Sequence, residues 1–208
     1  METVTVTSRG WGGQGWMPAP GASQTANATV QIRGAGPPGC GDERDTIIQE
    51  YINFGISPVP RCGWFNHGSA RSVHFSNGEM TVNEPYTWSL IREPLTGSAG
   101  SGYGLDRWVD LYMAAHPGAP ARTINSGYRS PVHNQSVGGA PGSRHLFGDA
   151  VDLKNETRTT QEYTDLRNAA KDGNPSAGAS WVEDWSGPCG NGCVHADWRD
   201  KNPGVYSQ

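Results

Sequence analysis

Apolar positions along the chain mark out short elements separated by many turns. TVTVTS (residues 3–8) and ATVQIR (28–33) alternate as strands do, with GWGGQGW and PAPGAS between and around them as loops. DERDTIIQEYINF (42–54) has apolar residues at 47, 48, 51, 52 and 54 and acids in its first turn, which predicts a helix that Gly55 stops. Leu105, Trp108, Val109, Leu111, Tyr112 and Met113 recur at helical spacing up to His116-Pro117-Gly118. Residues 121–128 read as a strand leading into a turn. Thr159 and Glu162 form a capping box before YTDLRNAAKDG, which ends at Gly173. DAVDL (149–153) and VHADWR (194–199) alternate again.

Helices and short strands mix without a strict strand–helix–strand rhythm. The expected class is α+β, a small antiparallel sheet flanked by helices, with a loop-rich N-terminal extension. Residues 1–75 read as an accessory region of short strands and one helix, and residues 76–208 as the main domain. Trp64 and Phe65 would pack the first region onto the rest. No internal repeat is visible.

Composition narrows the function classes. Hydrophobic residues are 35% of the chain, yet eight Trp and several apolar runs argue for a fold rather than disorder. Gly (29) and Pro (15) are abundant, in keeping with much loop. Net charge is −4 with no basic stripe, which argues against a nucleic-acid partner. No apolar run reaches the roughly 20 residues that span a bilayer. No signal segment is seen at the N-terminus, and an added initiator Met on a mature domain would account for that. The four cysteines, Cys40, Cys62, Cys189 and Cys193, suggest two disulfides and an oxidising compartment. Cys189 and Cys193 can close a small loop and Cys40 and Cys62 a larger one, but three connectivities are open, and a four-thiolate zinc site competes with them.

The stretch SGYRSPVHNQSVGGAPGSRHLFGDAVDL (126–153) and CVHADWR (193–199) hold the candidate chemistry. His145 and Asp152 are too far apart on one strand (about 23 Å) or one helix (about 10.5 Å) to share an ion. The chain must turn between them, and Gly148 permits it. Beyond the turn, Asp152 and Ala150 share one face of a strand, and His195, Asp197 and Arg199 share one face of another, with Val194 and Trp198 on the core side. Pairing these strands would join Asp152 to His195, with His145 closing the set. Two His and one Asp leave a fourth position open for water, as catalytic zinc sites do.

SGYRS, then SRH, then His-x6-Asp enclosing Gly-x-Ala-x-Asp, then VHADWR, resemble the M15 peptidases over roughly residues 85–200. These are zinc D-alanyl-D-alanine carboxypeptidases and cell-wall endopeptidases that share a fold with the hedgehog signalling domain. The likeness is nearest to the branch whose last motif is His-x-Asp. It implies one Zn2+ ion on His145, Asp152 and His195, and Arg129 facing the cleft to steady a developing oxyanion, an interaction of a few kcal/mol. Ser143 is a candidate substrate contact or a turn-shaping residue.

The general base departs from the family pattern. Many members place Glu three residues before the last zinc ligand, where this chain has Gly192; other branches place His two before it, where this chain has Cys193. Glu183 is the leading candidate, with Asp184 and Asp197 as alternatives, and Asp197 can also orient a ligand. His67, His74, His116 and His133 are not expected to be ligands. Sequons at Asn27, Asn134 and Asn155 imply nothing without a eukaryotic secretory origin.

The resulting expectation is a monomeric zinc metallopeptidase, secreted or periplasmic and cell-wall associated, that cuts peptidoglycan peptides as carboxypeptidase or endopeptidase. Its rivals are a zinc-containing wall-binding module without turnover, an extracellular protease for ordinary L-peptides, and a structural extracellular domain without metal.

Overall fold

The computed structural model describes residues 39–67, 72–91, 102–185, 187 and 189–201. The strands expected over 3–8 and 28–33, and Asn27, lie outside the described residues. The chain divides into units of residues 1–38 and 39–208. All that follows concerns the second, which is α+β.

Its centre is a four-stranded antiparallel sheet. In chain order the strands are β3 (Ile124–Ser126), β4 (Ala150–Lys154), β5 (Trp181–Val182) and β6 (Cys193–Asp197), in spatial order β3-β4-β6-β5. A separate two-stranded ribbon pairs β1 (Asn66–His67) with β2 (Trp88–Ser89). Sequence alternation becomes two chemically different faces. Val151, Ala196 and Val182 form one row across three strands, and Leu153 and Val194 form another. All five are buried in the core.

Helix α3 (Leu105–Ala115) and helix α5 (Thr160–Arg167) contribute Leu105, Trp108, Val109, Tyr112, Tyr163 and Leu166 to the same core. Trp108 and Trp198 meet at 6.1 Å, and each buried indole N–H finds a carbonyl, Leu166 O at 2.8 Å and Ala177 O at 2.9 Å. That satisfies the polar end of each ring while its apolar body is desolvated. Thr159 caps α5 by accepting from the Glu162 N–H, but the Glu162 carboxylate does not return to the cap. It is drawn away to Thr157 and to Arg122, a buried cation 2.5 Å from it. Past Arg167 the helix widens into a π turn, Asn168–Asp172, before Gly173.

Helix α1 (Glu43–Asn53) forms where its periodicity places it, with Asp42 accepting from the Arg44 N–H as N-cap. Its Ile47, Ile48 and Tyr51 are buried in the common core. The Tyr51 hydroxyl donates to the Leu146 carbonyl, and its ring meets Phe147 at 6.4 Å. The division expected near residue 75 therefore does not coincide with the boundary after Pro38: this helix props the turn that carries His145. Cys40–Cys62, 22 residues apart, ties the chain just before α1 to the turn Cys62–Trp64. A loop of that length removes about 3 kcal/mol of unfolded-chain entropy. Cys189–Cys193 is the second bond, and no cysteine is free for a four-thiolate zinc site.

A one-turn helix α2 (Asn77–Met80) closes with a full Ser76/Glu79 capping box. It matters because Met80 O receives the Tyr128 N–H at 2.9 Å. A Cβ on Gly127 would come within 2.1 Å of that oxygen, so only glycine lets the SGYRS segment lie there. Helix α4 (Pro131–Ser136) follows, started by a Ser130 cap and Pro131 in its first turn.

The turn from His145 to Asp152 is a single 3-10 turn, Arg144–Phe147, ended by Gly148 at φ +65°. A Cβ on Gly148 would lie 1.7 Å from the Leu90 carbonyl oxygen. Arg144 and Asp149, both buried, pair across the turn as a two-toothed clamp. Gly148→Ala is expected to lower stability by at least about 2 kcal/mol, from left-handed strain plus the backbone clash, read as a fall in the urea midpoint.

Candidate metal centre and active site

The polar face of the sheet carries the chemistry. β4 and β6 pair so that Asp152 stands directly opposite His195. Residues so paired project to the same face. His145 enters from the 3-10 turn, and its ring meets that of His195 edge-on at 4.8 Å. His145 Nε2 lies 3.0 Å from His195 Nδ1 and 3.2 Å from Asp152 Oδ1, and His195 Nδ1 lies 2.7 Å from Asp152 Oδ1.

The second nitrogen of His145 decides what this triangle is for. Nδ1 lies 2.6 Å from the Gly127 carbonyl, which can only accept, so Nδ1 carries the proton. In the neutral ring Nε2 then offers a lone pair to the triangle. Three acceptor atoms thus face one point: an imidazole Nε2, a carboxylate Oδ1 and an imidazole Nδ1. One proton cannot satisfy all three, whereas a divalent cation can. A tetrahedral ion with bonds near 2.0 Å separates its ligands by about 3.3 Å, close to the spacings found. The residues present therefore fit a single zinc-type ion.

Electrostatics agree. Burial alone would raise the Asp152 carboxyl, but the two histidines hold it far below the usual carboxylate range. Burial alone would lower His195, yet hydrogen bonds to Asp152 and Asp197 raise it to about 9. In the metal-free protein a proton on His195 thus neutralises the buried carboxylate.

Each ligand is also held from behind. Asp152 Oδ2 accepts from Arg129 Nη2 at 3.2 Å, and Arg129 Nε donates to Ser126 Oγ at 2.7 Å. This leaves Oδ1 alone facing the histidines. Asp197, fully buried, lies 3.8 Å from His195 Nε2 and is held at both oxygens by Arg199. Burial would raise the Asp197 carboxyl, but the Arg199 and His195 hydrogen bonds take it down to about 2. Trp181 sets its ring edge 5.4 Å from His195.

The three candidate bases are placed very differently. Glu183 follows β5, and its N–H donates to the His195 carbonyl at 3.1 Å, which puts it in one row with His195 and Asp152. The residue is 9% exposed and lines the cavity with all three ligand candidates. Burial raises its carboxyl, Asp152 adds to the rise, and His195 opposes it. Tyr163 and Arg167 fix the Glu183 carbonyl from below. Gly187 lies on the carboxyl group so closely that a Cβ there would fall 2.0 Å from Glu183 Cδ. Asp184, the next residue, points to solvent at 87% exposure, and among the described residues its carboxylate pairs with Arg167 at 3.5 Å. Asp197 faces the site with both oxygens already committed to Arg199.

Ser143 lines the cavity, and its hydroxyl does not cap the turn it begins. The remaining histidines are engaged elsewhere. His74 pairs with Asp110 at 2.8 Å, His116 with Asp165 at 3.5 Å and His133 with Glu84 at 2.5 Å, and His67 packs on Trp88. The Asn134 and Asn155 side chains are buried, which removes both as exposed acceptor sites. Sequence reasoning missed the Gly127 carbonyl, the Arg144–Asp149 clamp and the Arg199–Asp197 pair. The clamp left a trace in two opposite charges flanking the glycine turn, and the Arg199–Asp197 pair in the shared strand face of those two residues.

Residues 106–183 match the model of the family described as Peptidase M15. Over this stretch the chain is similar to the Peptidase M15 family. Peptidases of this family are generally metal-dependent, and His145, Asp152 and His195 form a group able to hold a metal here. The matched segment contains Arg129, Ser143, His145, Asp152 and Glu183, while His195 lies beyond it. No match was found among curated proteins.

Uptake of a zinc-type ion on this triangle would displace the His195 proton. At pH 7 about one proton is expected per zinc bound, with release fading above pH 9, measured by titration calorimetry in buffers of different ionisation enthalpy. The same raised pKa stabilises the metal-free fold below its ordinary 6.5, and that contribution disappears as pH rises through about 9. His195→Ala should remove most of the bound zinc, read by metal analysis.

Proposed function

We propose that this M15 domain is a zinc peptidase that hydrolyses peptide bonds in the peptide part of peptidoglycan. The observation that carries the reading is the row Asp152–His195–Glu183. It sets two ligand candidates and a buried carboxylate that makes no ion pair among the described residues side by side on the wall of one cavity. That cavity, about 770 Å³, has room for a short peptide.

A zinc ion held by His145, Asp152 and His195 would supply Lewis acidity at the scissile carbonyl. Glu183, with its carboxyl raised toward neutrality, takes a proton from the attacking water and returns it to the leaving amine. Arg129, anchored through Nε and Nη2, aims its remaining donors at the developing oxyanion. Ser143 contacts the substrate from the rim of the cavity. Asp197 keeps His195 in position, and Asp184 takes no part.

The wall-binding module gained its case from Gly192, which stands where many family members place a base. Glu183 supplies a carboxylate from the residue after β5, and this favours turnover. We further propose a hedgehog-like fold, the His-x-Asp branch, a catalytic unit that takes in the α1 segment, a role for residues 1–38 as an accessory to it, and a monomer. Two disulfides suit secretion into an oxidising space. Among the described residues no helix is long and apolar enough to cross a membrane.

Glu183→Gln should keep full zinc occupancy while lowering kcat by about 10²–10⁴-fold, measured as amine released from muropeptides. Turnover near the wild-type level would exclude Glu183 as base. Chelation should abolish cleavage, and a parallel casein digest distinguishes a wall enzyme from a general protease. Full zinc occupancy with no cleavage of either substrate would favour the binding module.

A further inference from the structure

The cavity that holds the metal triad is lined by five cationic side chains, and their pairing is uneven. Arg129 is matched to Asp152, Arg144 to Asp149 and Arg199 to Asp197. Lys154 and Arg158 line the same cavity and make no ion pair among the described residues. Glu156, exposed and lying between them in sequence, pairs with neither. A cation left without a carboxylate in a concave site is available to an anionic ligand.

Their position relative to the triad is set by backbone register. Lys154 is two residues beyond Asp152 on β4, so both project to the same face, with Cα atoms about 6–7 Å apart. That spacing is about the length of two peptide residues.

Arg158 is held in place by its loop. Its φ is +54°, uncommon for a residue with a side chain, and its N–H donates to the Asn155 carbonyl at 3.1 Å. The loop is tied on both sides. The Asn155 N–H reaches Gly192 O at 3.1 Å and its Nδ2 reaches Thr159 O at 3.0 Å, while the Thr157 N–H and hydroxyl both reach Glu162 at 2.6 Å. An exposed arginine on so constrained a loop presents its charge from a fixed base.

From this arrangement we infer that Lys154 and Arg158 form a carboxylate-binding subsite, which selects peptides carrying a carboxylate within about two residues of the bond to be cut. The inference rests on reading the cleft as a peptidase site and names its substrate class more narrowly. The carboxylate has two chemical sources: the C-terminus of the peptide or an acidic side chain. The first makes the protein a carboxypeptidase, and the second lets it cut inside a chain.

The test is equilibrium binding to the zinc-loaded protein of three uncleavable phosphinic dipeptide analogues. One has a free C-terminal carboxylate, one a C-terminal amide, and one a C-terminal amide with glutamate as its last residue. A charge-assisted contact predicts that a carboxylate probe binds about ten-fold or more tightly than the uncharged amide. Preference for the free acid identifies the C-terminus as source, and preference for the glutamate amide identifies the side chain. Lys154→Met with Arg158→Gln should erase the difference while zinc content and the circular dichroism spectrum stay unchanged, and Lys154→Arg should restore part of it in the Arg158 background. Equal binding of all three probes, binding of none, or a preference that survives the double substitution overturns the subsite. Because nothing is turned over in this measurement, an inert protein can still pass it and an active peptidase can fail it.

Discussion

The antiparallel pairing of β4 with β6 is the constraint on which the site depends. It sets Asp152 opposite His195 and, one strand further on, sets Glu183 beside His195. Three side chains that are remote in sequence become neighbours because antiparallel strands project facing residues to one side. The opposite face of the same strands is wholly apolar and is locked by the Trp108–Trp198 core. A slip of one residue would bury the chemistry and expose that core, so the hydrophobic effect holds the register of a polar site.

A buried carboxylate between two imidazoles is costly unless a cation completes it. In the metal-free protein a proton on His195 fills that need, at the cost of leaving the Nε2 lone pair of His145 poorly used. The surroundings admit little alternative. Gly127 fixes the His145 tautomer, Arg129 takes the far oxygen of Asp152, and Asp197 with Arg199 faces the far nitrogen of His195. Each group behind the triangle limits rotation of the group in front, the arrangement by which outer partners tune a metal site.

Supports for this geometry come from distant segments. Helix α1 braces the His145 turn through Tyr51, and the Met80 carbonyl allows only glycine at 127. Gly187, just before the small disulfide loop, lies against Glu183, and the Cys189 backbone hydrogen-bonds the Glu183 carboxylate. Strand pairing brings Glu183 to the row, and the loop then shields it. Burial raises the Glu183 carboxyl above its ordinary value, and the Cys189 hydrogen bond opposes part of that rise.

Much of this was legible in the chain itself. The strict alternation of DAVDL and VHADWR showed which side chains share a face, because the strand period of two is a local property. The helical spacing in 42–54 and 105–115, the need for a turn at Gly148, and the motif order that resembles M15 peptidases are local in the same sense. The choice among Glu183, Asp184 and Asp197 was not legible. All three are acids close in sequence to β5 or β6, and only pairing across strands sends Glu183 into the cavity and leaves Asp184 in solvent. The place of α1 in the common core, the Gly127 carbonyl behind His145 and the two unmatched cations on the cavity wall were likewise decided by tertiary structure. Each depends on which distant groups meet in space, and local periodicity carries no record of such meetings.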